Sequence, residues 1–128
     1  MNLEHIAYNV ADPDTMARWY VKHLGLRIVH KASGPNPGYF LADGRGMMVE
    51  IYRNPAAPLL DSRSIQPLSL HLALSCDSLP SERARLMAAG AAAEGEITRS
   101  GDGTEVAMLR DPWGLVLQLI HRKAPLVP

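Results

Sequence analysis

The sequence predicts an α+β fold of two tandem βαβββ modules, whose strands form a curved mixed sheet, a cup, with the helices on its outer face. Three observations point to it. The order strand, helix and three strands can be read twice along the 128 residues. Polar residues recur at matching places in the halves: His5 in LEHIAYNV as His71 in LSLHLALS, 66 positions on, and Glu50 in GMMVEIYR as Gln118 in GLVLQLIH, 68 positions on. The turn before each final strand also corresponds, since YFLADGRGMMVEIYR aligns with AMLRDPWGLVLQLIH and sets Asp43 against Asp111 at the same offset of 68.

Each element has its own signal. Residues from about Leu3 to Val10 are an apolar run rich in strand formers. Asp12 then suits a helix cap, Met16, Trp19, Tyr20 and His23 or Leu24 follow at helical spacing, and Gly25 supplies the stop. Short apolar stretches at about Leu26 to Lys31, Gly38 to Ala42 and Met47 to Arg53 are separated by the turn signals SGPNPG and DGRG. After a loop rich in proline and small residues the order restarts: a strand at Leu68 to Ser75, then a helix at Ser78 to Ala89 closed by Gly90. Strands follow at about Ala92 to Thr98, Thr104 to Arg110 and Leu115 to His121. The chain is thus one domain, with module one at about 1–54, a linker at about 55–67, module two at about 68–122 and a tail at 123–128.

Side chains alternate between the faces of a strand. Leu70, Leu72 and Leu74 therefore share one face and Ser69, His71 and Ala73 the other. Val49 and Ile51 likewise oppose Met48, Glu50 and Tyr52, and Leu115, Leu117 and Leu119 oppose Val116, Gln118 and Ile120. The apolar stripes are expected to pack under helices. That leaves His5, Glu50, His71 and Gln118 on the face lining the cup, among Ala7, Met48, Tyr52, Ala73, Val116 and Ile120, which suit a small, partly apolar ligand.

Composition narrows the function classes. Formal net charge is zero, which argues against a broad nucleic-acid surface. No apolar run has the length of a membrane span, and MNLEHIAYNVADPD is unlike a signal peptide. The single cysteine, Cys76, fits a reducing cytoplasm and reads as a small buried residue rather than a nucleophile. His23 suits a helix C-terminus, while His30 and His121 fall near strand ends, with His30 able to face the cup. Trp113 lies in a turn and is expected at a dimer contact or the cup rim. Arg53, Arg99 and Arg110 are expected to be surface arginines, with substrate carboxylate binding as the alternative.

The paired modules, LEHIAYNVADPDTMARWYVKHLGLRI at the start and RDPWGLVLQLI at the end resemble the vicinal oxygen chelate superfamily, over residues 3–122. That superfamily includes glyoxalase I, bleomycin and fosfomycin resistance proteins, methylmalonyl-CoA epimerase and extradiol dioxygenases. The resemblance implies that His5, Glu50, His71 and Gln118 hold a divalent metal ion, and that the chain acts on a small-molecule substrate, commonly as a homodimer. Two imidazoles, a carboxylate and an amide oxygen suit nickel, zinc, cobalt, manganese or iron, leaving positions open for two neighbouring substrate oxygens.

Glyoxalases carry a glutamate base on the final strand, where this chain has Gln118, whose amide cannot take up a proton at neutral pH. Glu50, on the pseudo-symmetric strand, is the remaining candidate base, which suits an isomerase or lyase. Two other readings stay open. An extradiol-type dioxygenase would bind non-heme iron through His5, His71 and Glu50, but usually carries its carboxylate on the last strand. A drug-binding resistance protein without catalysis typically lacks the full ligand set.

Overall fold

A computed structural model describes residues 1–127, and the chain divides into two compact units, Met1–Leu60 and Asp61–Pro128. The expected linker 55–67 is shared between them, and includes a short 3-10 turn at Ser62–Ser64.

The first unit contains β1 (His5–Asn9), α1 (Pro13–Leu24), β2 (Arg27–Lys31), β3 (Gly38–Ala42) and β4 (Met48–Tyr52). Its sheet has the order β1-β4-β3-β2, with β1 parallel to β4 and the other pairs antiparallel. α1 starts where the sequence indicates: the Asp12 carboxylate accepts from the Thr15 amide at 3.1 Å, occupying one of the free donors of the first turn. It stops at Gly25, whose φ of 72° lies in the left-handed region that side chains disfavour. Met16, Ala17 and Tyr20 are buried on α1, which packs against β2, β3 and β4. Beneath it lie Tyr39, Leu41, Val49 and Ile51, all buried, and the Tyr39 hydroxyl donates to Asp14 of the helix. Each such apolar side chain contributes about 1.5–3 kcal/mol when withdrawn from water.

One buried polar residue in this unit escapes the periodicity argument. Asn9, at the end of β1, donates its side-chain amide to the carbonyls of Asn54, Ala57 and Pro58, each at 3.0 Å, and accepts from the Asn54 amide at 2.8 Å. A single side chain thus satisfies the loop leaving β4.

The second unit repeats the pattern with β5 (Leu72–Ser75), α2 (Leu79–Ala88), β6 (Ala92–Arg99), β7 (Glu105–Arg110) and β8 (Val116–His121), in the sheet order β5-β8-β7-β6. Its core comprises Leu79 and Leu86 of α2 with Ala107, Leu109, Leu117 and Leu119 of the sheet. The repeated turn is reproduced bond for bond. Asp43 accepts from the amides of Arg45 at 2.8 Å and Met47 at 3.2 Å, and Asp111 accepts from those of Trp113 and Leu115, both at 2.9 Å. Gly46 and Gly114, the equivalent glycines, have φ of 99° and 93°.

Two expectations need correction. The strand expected at Leu68 to Ser75 begins only at Leu72. Ser69 and Leu70 donate their amides to the Gln66 carbonyl, so the residues ahead of His71 form a turn, and Leu70 is exposed rather than packed beneath α2. Arg110 is no ordinary surface arginine. Its guanidinium pairs with Glu94 and donates to the carbonyls of Ser62, Gly114 and Ile65 at 3.1, 3.0 and 2.9 Å, bracing the turn before β8.

Candidate functional site

The four residues singled out by the repeat occur as two pairs, one in each unit. In the first, β1 runs beside β4 with Ala7 opposite Glu50, so His5 stands two residues ahead of the glutamate's partner. In the second, β5 runs beside β8 with Ala73 opposite Gln118, so His71 stands two residues ahead of the glutamine's partner. The stagger is identical although His71 precedes its strand rather than belonging to it.

In the first pair, His5 Nε2 lies 3.4 Å from Glu50 Oε2. Two donors about 2.1 Å from a common ion lie roughly 3.0–3.4 Å apart at ligand angles of about 90–110°, so this spacing fits a shared cation. The other ring nitrogen, Nδ1, is hydrogen-bonded to the Glu4 carboxylate. In the neutral imidazole that bond places the proton on Nδ1 and leaves the Nε2 lone pair toward Glu50. The pKa of His5 is raised above its ordinary value, first by the hydrogen bond to Glu4 and then by the charges of Glu4 and Glu50, against a lowering by partial desolvation. A proton and a metal ion therefore compete for the same nitrogen.

The second pair is arranged alike at its histidine. His71 Nδ1 bonds to the Pro67 carbonyl at 2.8 Å, and since a carbonyl only accepts, Nδ1 carries the hydrogen and Nε2 is the free donor atom. Gln118 is half-buried, and its amide nitrogen lies 3.9 Å from the Met108 sulfur, a contact weak enough to yield to a better partner. Among the described residues, no three histidine, cysteine, aspartate or glutamate side chains converge closely enough to hold an ion together. Within each unit, an imidazole Nε2 paired with a carboxylate or amide oxygen is a donor type that divalent ions accept.

The remaining candidates fall outside these pairs. His23 packs against Trp19 in the last turn of α1, the rings tilted by 47° with centres 5.1 Å apart, and His121 Nδ1 bonds to the Cys76 carbonyl at 3.0 Å. Burial, then the charges of Glu82, Asp77 and Glu105, push the Cys76 thiol up, which disfavours the nucleophilic thiolate. Arg99 pairs with Glu105, and Arg53 donates to the Asn54 carbonyl at 3.1 Å. Trp113 receives the Ser62 hydroxyl on its carbonyl at 2.8 Å, within the braced turn. Val116 is buried, so it offers no open lining surface.

Phe40 was not distinguished by sequence reasoning. It faces Glu50 across β3 and β4, meets the His5 ring edge-on at 5.2 Å, and lies 5.7 Å from the His30 ring on its other side. The available signal was strand register: Phe40 occupies the position that Met108 holds opposite Gln118.

The sequence profile of the Glyoxalase/Bleomycin resistance protein/Dioxygenase superfamily matches residues 2–119. No curated protein gives a significant match. Among solved structures, glyoxalase I from Zea mays is 23% identical with a TM-score of 0.77, over 96% of this chain and 45% of that chain. TnmS3, an antibiotic binding protein from Streptomyces sp. CB03234, is 21% identical with a TM-score of 0.71, over 96% and 97%. A glyoxalase family protein from Enterococcus faecalis is 24% identical with a TM-score of 0.71, over 93% and 96%. The chain spans about half the length of the maize enzyme, and these likenesses establish the fold. Among the described residues, no helix is long and apolar enough to cross a membrane.

Proposed function

The chain belongs to the Glyoxalase/Bleomycin resistance protein/Dioxygenase superfamily, and we propose that it is a metal-dependent, glyoxalase-like enzyme that moves a proton on a small oxygen-bearing substrate, with Glu50 as base. The observation that carries this reading is the repeated stagger, which presents one histidine and one oxygen-bearing side chain at equivalent places in each sheet. His5, Glu50, His71 and Gln118 would hold the ion. When bound, a divalent ion polarises a substrate carbonyl and lowers the acidity barrier of the neighbouring C–H.

The protein's own residues divide the work. Glu4 and the Pro67 carbonyl hold the two imidazoles in the tautomer whose Nε2 is free. Glu50 is the one titratable oxygen among the four, so it takes the substrate proton and returns it to a neighbouring carbon or oxygen. Gln118 contributes an amide oxygen without a second base, which restricts the site to one-base chemistry such as isomerisation or lyase-type elimination. The dioxygenase reading lacks the final-strand carboxylate. A non-catalytic binding role requires neither metal nor Glu50.

The test is metal titration followed by isotope exchange. The chain is expected to take up zinc or nickel and, when loaded, to exchange the C–H protons of hydroxyacetone with D2O, as read by NMR. Glu50→Gln should retain the fold and lose the exchange. Absence of metal uptake would remove the enzymatic reading, and unchanged exchange in Glu50→Gln would remove Glu50 as the base.

A further inference from the structure

The row of side chains running across the first sheet at Glu50 is Ala7, Glu50, Phe40 and His30, each opposite the next in register. The equivalent row in the second sheet is Ala73, Gln118, Met108 and Glu94. The two rows are spent differently. Glu94 is paired with Arg110, and the Gln118 amide rests against the Met108 sulfur. In the first row, His30 makes only a ring contact with Phe40, with no hydrogen bond to its ring nitrogens among the described residues. Beside it lies a cavity of about 180 Å³, open to solvent on one side, lined by Glu4, Val29, His30, Phe40 and Met48. A bulge in β2 between Ile28 and His30 breaks the ladder there and brings the consecutive residues Val29 and His30 to the same cavity, where strict alternation would separate them.

We propose that this cavity receives the ring of a neutral, monocyclic aromatic substrate, with His30 hydrogen-bonded to an oxygen carried on that ring. Size, lining and charge converge on this class. An enclosed apolar cavity of about 150 Å³ accepts benzene, so a single ring with a small substituent matches the volume here, and the open side leaves room for the rest of the substrate. Val29, Phe40 and Met48 supply apolar and polarisable walls, and sulfur and ring edges are favourable neighbours for an aromatic face. Glu4, the one carboxylate on the wall, disfavours an anionic substituent on the ring, which leaves a hydroxyl or carbonyl as the oxygen that His30 meets. Phe40 lies between His5 and His30, so a ring against it places the rest of the substrate at the His5–Glu50 pair. In naming a substrate, the inference rests on the functional reading above; the pocket itself does not.

The experiment is a titration of the purified protein with phenol and, in parallel, toluene, followed by NMR at the Met48 methyl and the Phe40 and His30 rings. Phenol is expected to shift all three. Val29→Trp and Met48→Trp, each filling the cavity from a different strand, should weaken phenol at least tenfold. His30→Phe should weaken phenol about fivefold, as expected for one neutral hydrogen bond, and leave toluene unchanged. Phenol that leaves these resonances unmoved, or equal losses of phenol and toluene in His30→Phe, would overturn the proposal. A separate zinc titration distinguishes the two readings: zinc without phenol overturns the ring pocket alone, and phenol without zinc supports the pocket while overturning the metal enzyme.

Discussion

Replacing Glu4 by alanine tests how His5 is held, and two opposed effects set the size of the response. Glu4 accepts from Nδ1 of the imidazole and so fixes both its rotation and its tautomer. Removing such an outer partner of a metal-binding histidine weakens metal affinity roughly 10- to 100-fold. The same carboxylate is the largest cause of the raised His5 pKa, so its loss lowers the affinity of Nε2 for the competing proton. Above the raised pKa, His5 is neutral in both proteins and only the loss of orientation is felt. Below it, the native protein loses about tenfold in affinity per pH unit for the proton displaced at His5, while the variant is spared until more acidic pH. The deficit of Glu4→Ala should therefore be full at about pH 8 and narrower at about pH 6. Isothermal titration with zinc at both pH values measures it, and Glu4→Gln, which keeps an acceptor without the charge, should bind more tightly than Glu4→Ala. Equal affinity of Glu4→Ala and native protein at both pH values, or a deficit that widens on acidification, would refute the reasoning.

Two stability predictions follow from the turns and caps. Ala at Gly46 incurs only the left-handed backbone penalty of about 1–2 kcal/mol, because no atom lies within 4 Å of the added carbon; at Gly114 the added carbon falls 2.4 Å from Arg63 Cγ. Thermal unfolding should show Gly114→Ala the less stable, and equal losses would mean that Arg63 moves aside freely. Asp12→Ala should lower stability by about 1 kcal/mol at neutral pH through loss of the α1 cap. Its folded pKa is lowered by the hydrogen bonds from Thr15, so this contribution is present above the unfolded pKa of about 3.9 and fades as pH falls through the folded one. Melting curves of Asp12→Ala and native protein should thus converge in acid; a constant gap would assign the effect to something other than the ionised cap.

The elements that sequence patterning locates well are those with local causes. β3 spans Gly38–Ala42 as expected, α1 begins after Asp12 and ends at Gly25, and the aspartate turns at Asp43 and Asp111 recur at the same offset because each closes on amides two and four residues ahead. That His5, Glu50 and Gln118 fall on β1, β4 and β8 was legible for the same reason, since apolar alternation marks a strand locally. The start of β5 was not, because LSL before His71 is as apolar as a strand and only the bonds to Gln66 turn it. The role of Arg110 was hidden by distance along the chain: its acceptors at Ser62 and Ile65 lie 48 and 45 residues away and are backbone carbonyls, which no residue pattern marks. The His30 cavity depends on a bulge in β2, and a displaced register leaves no trace in hydrophobic periodicity.

Asn9 has a kinetic consequence. Its amide bonds to carbonyls 45, 48 and 49 residues away, so they form only after nearly all of the first unit has been brought together. Such a contact belongs to the late, native side of the folding barrier. Asn9→Ala should therefore hasten unfolding and leave the folding limb of a denaturant chevron in place, whereas a slowed folding limb would put the residue in the nucleus. On this view Asn9 acts as a latch: it governs how long the first unit stays closed rather than how fast it closes.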